Sequence, residues 1–190
     1  MTDTSPIDLL DRALAQSTQL VTSVAPDQLE LQTPCADWMV RDLMRHMVGG
    51  LHNFRATVAG EPMQSFDAVV DDDALAGEFR QEAAGLIAAW REDGALDRKM
   101  KMFGGEMPAE FPLGLHITET ALHSWDLATA IGRTDALDDE IAEFALAFAQ
   151  KNMGPERRGA AFGPPIEAPD GAPAYERLAA FTGREAAAGA

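Results

Sequence analysis

His116, Glu119 and His123 fall within one helical-looking stretch, LHITETALHSWDLATAIGR, residues 115–133. Imidazole nitrogens and carboxylate oxygens are ordinary ligands of zinc and its first-row neighbours. At about 100° per residue, Glu119 and His123 share one helix face, a turn apart, and His116 lies a further turn back on nearly the same azimuth. One helix supplies too few ligands, so a partner must come from elsewhere. His46, in MRHMVGGLHNF, is the best partner, because Gly49 and Gly50 follow it on its own side. Two glycines inside a helix cost about 1 kcal/mol each relative to alanine. Open space beside the histidine would explain them, and so would close helix packing.

His46, Glu119 and His123 would together offer two imidazoles and a carboxylate on facing helices. For zinc this is a three-ligand set with a free fourth position, the pattern of catalytic sites. Nickel or ferrous iron accepts the same donors. The spacing is neither the HExxH of zincins nor the ExxH of ferritin-like bundles. The competing reading is that these are packed or exposed histidines with no ion between them.

The neighbouring residues have their own alternatives. Asp126, one turn after His123, is placed either to orient a ligand imidazole through its far nitrogen or to pair with Arg133. His116 either lines the pocket or packs away from it. His52 points about 120° from His46 around the same helix and is unrelated to the site. Trp38 and Trp125 read as packing residues. Met100, Met102 and Phe103 form an apolar cluster, a lid or simple packing.

Elements that position these residues are legible from periodicity and punctuation. Ser5 caps a first helix with Pro6 at its first position, and the apolar series Ile7, Leu10, Leu14, Val21 and Val24 runs until Pro26. LELQTPCADW reads as a loop, and Asp37 is placed to cap a second helix from about Met39 to Ala59, closed by Gly60. A third helix spans DDDALAGEFRQEAAGLIAAWREDG, with three aspartates at its positive end. Gly104-Gly105 marks a tight turn between short extended arms. A fourth helix covers about Pro112 to Ile131 and a fifth about Asp138 to Asn152, with a short helical stretch at AYERLAAF. The expected fold is all-α: a four-helix bundle with an extra C-terminal helix and short extended segments. Residues 1–154 form the metal-binding bundle, and 155–190 are an extension packed on the same domain.

Composition sets the outer bounds. The 190 residues include 31 acidic and 15 basic ones, a net charge of −16. Such a surface repels phosphate backbones, which argues against a nucleic-acid partner. No apolar run reaches the roughly 20 residues that cross a bilayer. The acidic, amphipathic start MTDTSPIDLLDRA lacks a secretory layout, so the chain reads as cytoplasmic. Cys35 is the only cysteine, which rules out an intrachain disulfide and a thiolate zinc ribbon. Helical bundles often pair through an exposed face; a homodimer is compatible with this pattern but not required by it.

TPCADWMVRDLMRHMVGG followed by ETALHSWDLATAIGR resembles the two signature segments of the DinB-like superfamily, in the branch that contains mycothiol-dependent maleylpyruvate isomerase. GALDRKM and RRGAAFGPPIEAPDGAPAYERLAAFTGR extend the resemblance over nearly the whole chain. The resemblance implies a divalent metal, usually zinc, at His46, Glu119 and His123. It also implies mycothiol or another low-molecular-weight thiol as cofactor and a small electrophile as substrate. A free thiol has a pKa near 8.5 and coordination can deprotonate it. In the isomerase such a thiolate adds to a cis double bond, and rotation followed by elimination gives the trans isomer. Other superfamily members resemble thiol S-transferases. The resemblance places Cys35 in a structural loop and offers Arg184 as a candidate for binding a substrate carboxylate. Here glutamate follows that arginine where the family often has proline, which leaves a structural or surface role open. Two further readings remain: a non-catalytic metal or small-molecule binder, and a metal-assisted hydrolase.

Overall fold

Ser5 starts helix α1 (Pro6–Ser23) by accepting a hydrogen bond from the Asp8 amide at 3.2 Å, with Pro6 where no donor is needed. The computed structural model describes residues 4–35, 38–62, 66, 69–102, 104–154, 158 and 162–184. α2 runs Val40–Ala59 and ends at Gly60. Its N-terminus is capped from within, the Asp42 side chain accepting the Met39 amide at 3.2 Å. Asp37, the expected cap, lies outside the described residues.

α3 (Leu75–Trp90) is shorter than its sequence pattern suggests. The aspartates before it do not all serve its positive end. Asp72 instead accepts Arg45 at 3.0 Å and lies 3.5 Å from Arg41, tying the turn ahead of α3 to α2. A hairpin follows, β1 (Lys99–Met102) antiparallel to β2 (Gly105–Pro108), with Met102 opposite Gly105. Met100 and Met102 are buried, so of the cluster proposed as a lid these two are packing residues; Phe103 lies outside the described residues. α4 (Glu110–Ala130) begins a little earlier than expected, because Pro112 falls in the first turn, where a missing N–H costs nothing. Asp138 caps α5 (Asp139–Asn152) by accepting the Glu140 amide at 3.0 Å. α6 is Ala174–Phe181.

The four long helices close a ring in which α1 packs on α3 and α4, and α2 packs on the same two. α5 covers the outside of α4, and α6 contacts α5 and α4. α4 is therefore the central element. Of its 21 residues, 15 are buried, including His116, His123, Ser124 and Asp126. It is less an amphipathic surface helix than a core helix with polar inclusions, and each inclusion needs a partner. Ser124 finds Ser17 of α1 at 2.5 Å. Gln16 of α1 bridges outward, donating to the Tyr175 hydroxyl at 2.8 Å and accepting the Asp138 amide at 2.7 Å.

His116 takes the packed role of the two open to it. Its ring stacks on Phe54 with centroids 4.0 Å apart, and its Nδ1 accepts Trp90 Nε1–H at 3.2 Å. Burial pushes its pKa down to about 3 from an ordinary 6.5, so it is neutral in the native protein. The unfolded chain binds a proton below pH 6.5 that the native chain refuses, and stability falls as pH drops from there toward 3. The slope from this group reaches about 1.4 kcal/mol per pH unit. His116→Gln, which keeps an acceptor for Trp90 but cannot titrate, is expected to flatten the pH dependence of the urea midpoint between about pH 6 and 4. An unchanged slope would show that His116 is not held neutral.

Candidate metal centre

The loop entering α2 is shaped by a few hydrogen bonds. A bridge between Gln32 and Met39 closes it, and the Thr33 hydroxyl inside lies 3.1 Å from the Cys35 carbonyl and 2.9 Å from that of Trp38. The Trp38 amide returns to the Cys35 carbonyl at 3.1 Å. The threonine of TPCADW thus folds the loop so that Trp38 and Cys35 meet α2 and α4. The Trp38 ring lies 4.5 Å from the His46 ring and 6.2 Å from that of His123, measured between centroids. Phe66 also stacks on the His46 ring, at 5.7 Å and 20°.

Between these walls His46 of α2 meets Glu119 and His123 of α4. One donor atom from each of the three lies within 4.8 Å of the others. The two imidazoles meet edge to face, 5.0 Å between centroids, and His123 Nε2 is 3.4 Å from Glu119 Oε2. Ligand bonds of about 2.0–2.1 Å in a tetrahedron put neighbouring donors about 3.3 Å apart, so the His123–Glu119 edge already has coordinating dimensions. Two nitrogens and an oxygen fit zinc, nickel or ferrous iron equally well as donor types.

Behind the ligands stands a second layer. His123 Nδ1 is 3.0 Å from Asp126 Oδ2, the arrangement that fixes a ligand imidazole with its other nitrogen facing the ion. Asp126 does not pair with Arg133, which approaches Asp135 instead. Arg184 Nε donates to both Asp126 oxygens, at 2.9 and 3.1 Å. Burial acts most strongly on His123 and would lower its pKa, but the hydrogen bonds and charges of Asp126 and Glu119 outweigh it and push the value up to about 9. Burial likewise tends to raise Glu119, yet the hydrogen bond to His123 and the charges of His123, Arg184 and His46 hold it below the usual carboxylate range. A metal ion taken up at Nε2 displaces a proton there, so affinity must fall with falling pH.

Cys35, His123 and Asp126 form a second group within the same 4.8 Å limit. Its negative side is already met by the chain's own cation, since Arg184 lies against Asp126 and reaches Cys35 Sγ at 3.9 Å. Burial, then the Asp126 charge, pushes the Cys35 thiol up to about 11. It stays protonated at neutral pH and is no nucleophile there.

Of the residues singled out by sequence, the structure gathers His46, Glu119, His123, Asp126 and Arg184 around one point and leaves His116 and His52 elsewhere. His52 approaches Glu82 of α3 at 3.9 Å. Arg184 is turned inward onto Asp126 and is only 8% exposed. Periodicity gave no sign that Trp38, Phe66 and Cys35 border the site, because all three lie in loops. The one readable trace was the pair of glycines after His46. The space expected beside His46 accounts for Gly50, while Gly49 is closely packed, though against the loop at Phe66 rather than against another helix. A Cβ on Gly49 would sit 2.0 Å from the Phe66 carbonyl oxygen, whereas one on Gly50 would meet nothing within 4 Å among the described residues.

Residues 10–128 match the family described as "Mycothiol maleylpyruvate isomerase N-terminal domain". Two uncharacterised proteins from two strains of Mycobacterium tuberculosis are each 32% identical over 181 residues, covering 94% of this chain and 97% of theirs. Two solved structures share the fold. One is the mycothiol-dependent maleylpyruvate isomerase, with TM-score 0.62 and 18% identity. The other is a histidine-to-alanine mutant of a mycothiol-dependent maleylpyruvate isomerase, with TM-score 0.59 and 20% identity. Each alignment covers 75% of this chain and 65% of the other, so the chain spans about two thirds of the solved enzyme's length.

The glycine pair separates packing from open space by experiment. Gly49→Ala is expected to destabilise the fold by about 1–3 kcal/mol, because backbone rather than a flexible side chain must give way. Gly50→Ala, with no neighbour to strike, is expected to be neutral or to stabilise by up to about 1 kcal/mol. Urea denaturation of the two variants checks the contrast. Equal effects would mean that Phe66 does not approach α2 as described.

Proposed function

The chain belongs to the mycothiol maleylpyruvate isomerase N-terminal domain family, and on that premise we propose that it binds one divalent metal ion, zinc foremost, and uses it to activate a low-molecular-weight thiol for S-transfer or isomerisation of a small electrophile. The observation that carries this reading is the convergence of His46, Glu119 and His123 from two helices to within 4.8 Å. Bound by these three ligands, zinc would supply Lewis acidity able to lower the pKa of an incoming thiol.

The chain's own residues have separable parts in this. His46 would hold the ion from α2, and Glu119 and His123 would hold it from α4. Asp126 keeps the Nδ1 proton of His123 and so presents Nε2. Trp38 and Phe66 set aromatic rings against His46. Gly50, one turn beyond His46, has no described residue within 4 Å of where a Cβ would stand, which is compatible with room beside the ligand. Cys35 supports an external thiol by default, since its own sulfur remains a thiol at the pH where a nucleophile is needed. Mycothiol is the first thiol to test, because the solved isomerase of this fold depends on it.

Purified protein is expected to carry about one zinc per chain by elemental analysis, lost in His46→Ala and in His123→Ala while helical content is kept. Mycothiol is expected to bind the zinc-loaded protein and not those variants, read by calorimetry. A ligand variant that keeps full zinc occupancy would remove the site. Zinc without thiol binding would turn the reading toward a metal-binding bundle without thiol chemistry.

A further inference from the structure

Resting on the reading of His46, Glu119 and His123 as a metal site, we infer that Arg184 is a positioning residue of that site: it holds Asp126, and Asp126 in turn fixes the ring of His123. Asp126 is fully buried and Arg184 nearly so. Arg184 Nε reaches both carboxylate oxygens, and Asp126 Oδ2 lies 3.0 Å from His123 Nδ1. Anchored on one side only, a short carboxylate can rotate about its χ angles and carry the imidazole with it. Held by the guanidinium as well, it has one setting, which leaves His123 Nε2 facing Glu119 at 3.4 Å.

The backbone around Arg184 is built to aim it. Gly183 has φ +79°, a conformation that disfavours any side chain, and a Cβ there would fall 2.6 Å from Gly163 Cα and 2.9 Å from the Pro164 carbonyl oxygen. The Arg184 amide donates back to the Ala179 carbonyl at 2.9 Å, closing α6 and turning the side chain under α4. Arg158 pins the same corner, donating to the Gly163 and Phe181 carbonyls at 3.0 and 2.8 Å with its guanidinium 4.6 Å over the Phe181 ring. A corner made this rigid for an exposed arginine would have no purpose. Delivering one to a buried carboxylate explains it. Nη2 also reaches toward Cys35, so the same side chain meets the loop that carries Trp38. A planar guanidinium suits this position better than an ammonium, which offers no fixed fork.

The test compares the full chain with Arg184→Met, Arg184→Lys, Asp126→Asn and the Arg184→Met/Asp126→Asn double variant. Zinc affinity is read by competition with a chelator, and coordination geometry by the visible bands of cobalt(II) added alone. Arg184→Met is expected to weaken zinc by about 10–100-fold and to alter the cobalt bands, with Arg184→Lys intermediate. In the Asp126→Asn background the same substitution is expected to cost nothing more, because its effect passes through Asp126. Zinc affinity within about twofold of the parent, or losses that multiply in full in the double variant, would overturn the assignment. A shift in unfolding midpoint with no change in the cobalt bands would also overturn it, leaving Arg184 a structural residue. If Arg184→Met does not fold, Gly183→Ala, which displaces the arginine without removing it, is expected to show the same loss in smaller measure; an unchanged affinity there counts against the proposal. A parent chain that takes up neither zinc nor cobalt sinks the metal reading by itself. The positioning claim is then read from the His123 Nδ1–H proton resonance, expected downfield and slowly exchanging in the parent and lost or shifted in Arg184→Lys. A resonance unmoved by the substitution refutes it.

Discussion

A polar side chain inside an enclosed helix is costly to leave unmet, and α4 carries four titratable ones beyond the exposed Glu110 of its first turn. The free energy of an unpartnered buried charge exceeds most single interactions that hold a domain together. Their partners come from α4 itself and from beyond it: Trp90 of α3 donates to His116 Nδ1, Glu119 and His123 meet along the helix, and Arg184 beyond α6 meets Asp126, while His116 Nε2 and Thr129 Oγ1 stay without a partner among the described residues. The loop before α2 and the end of α6 therefore belong to the site as much as the helices do. What looks like a set of separate packing choices reflects one constraint, that polar groups inside α4 are costly to leave unanswered.

The same requirement sorts the histidines. His116 and His123 are seven residues apart on one helix face, yet their surroundings push their pKa values in opposite directions. Aromatic rings and one indole donor surround the first, so burial acts unopposed. The second lies between two carboxylates, which reverse the effect of burial. A stripe drawn on a helical wheel cannot tell them apart. Their neighbours come from other helices, and only those neighbours decide which ring can face an ion.

Much of the frame was nevertheless legible. Ser5-Pro6, Gly60 and Asp138 mark helix ends through local chemistry, and local chemistry survives folding. The Glu119–His123 pair was readable because four residues is one helical turn, and His46 because the glycines after it demanded a reason. The DinB-like resemblance joined the two helices. Asp72 was misjudged as part of a charged helix start, since its partners Arg41 and Arg45 lie some thirty residues away. Trp38, Phe66 and Cys35 lacked any periodic signal, being placed by loop hydrogen bonds and a close backbone approach. The inward course of Arg184 depends on contact between Gly183 and Gly163, which sequence order alone does not express.

That course also sets an order of events during synthesis. Asp126 is made 58 residues before the arginine that meets it. At about 5–20 residues per second, the ribosome needs roughly 3–12 s to cover that distance. For those seconds α1 to α4 exist as polypeptide while the carboxylate at their centre has no guanidinium to face. The Asp126–Arg184 pair therefore cannot form until the segment after α6 has been made.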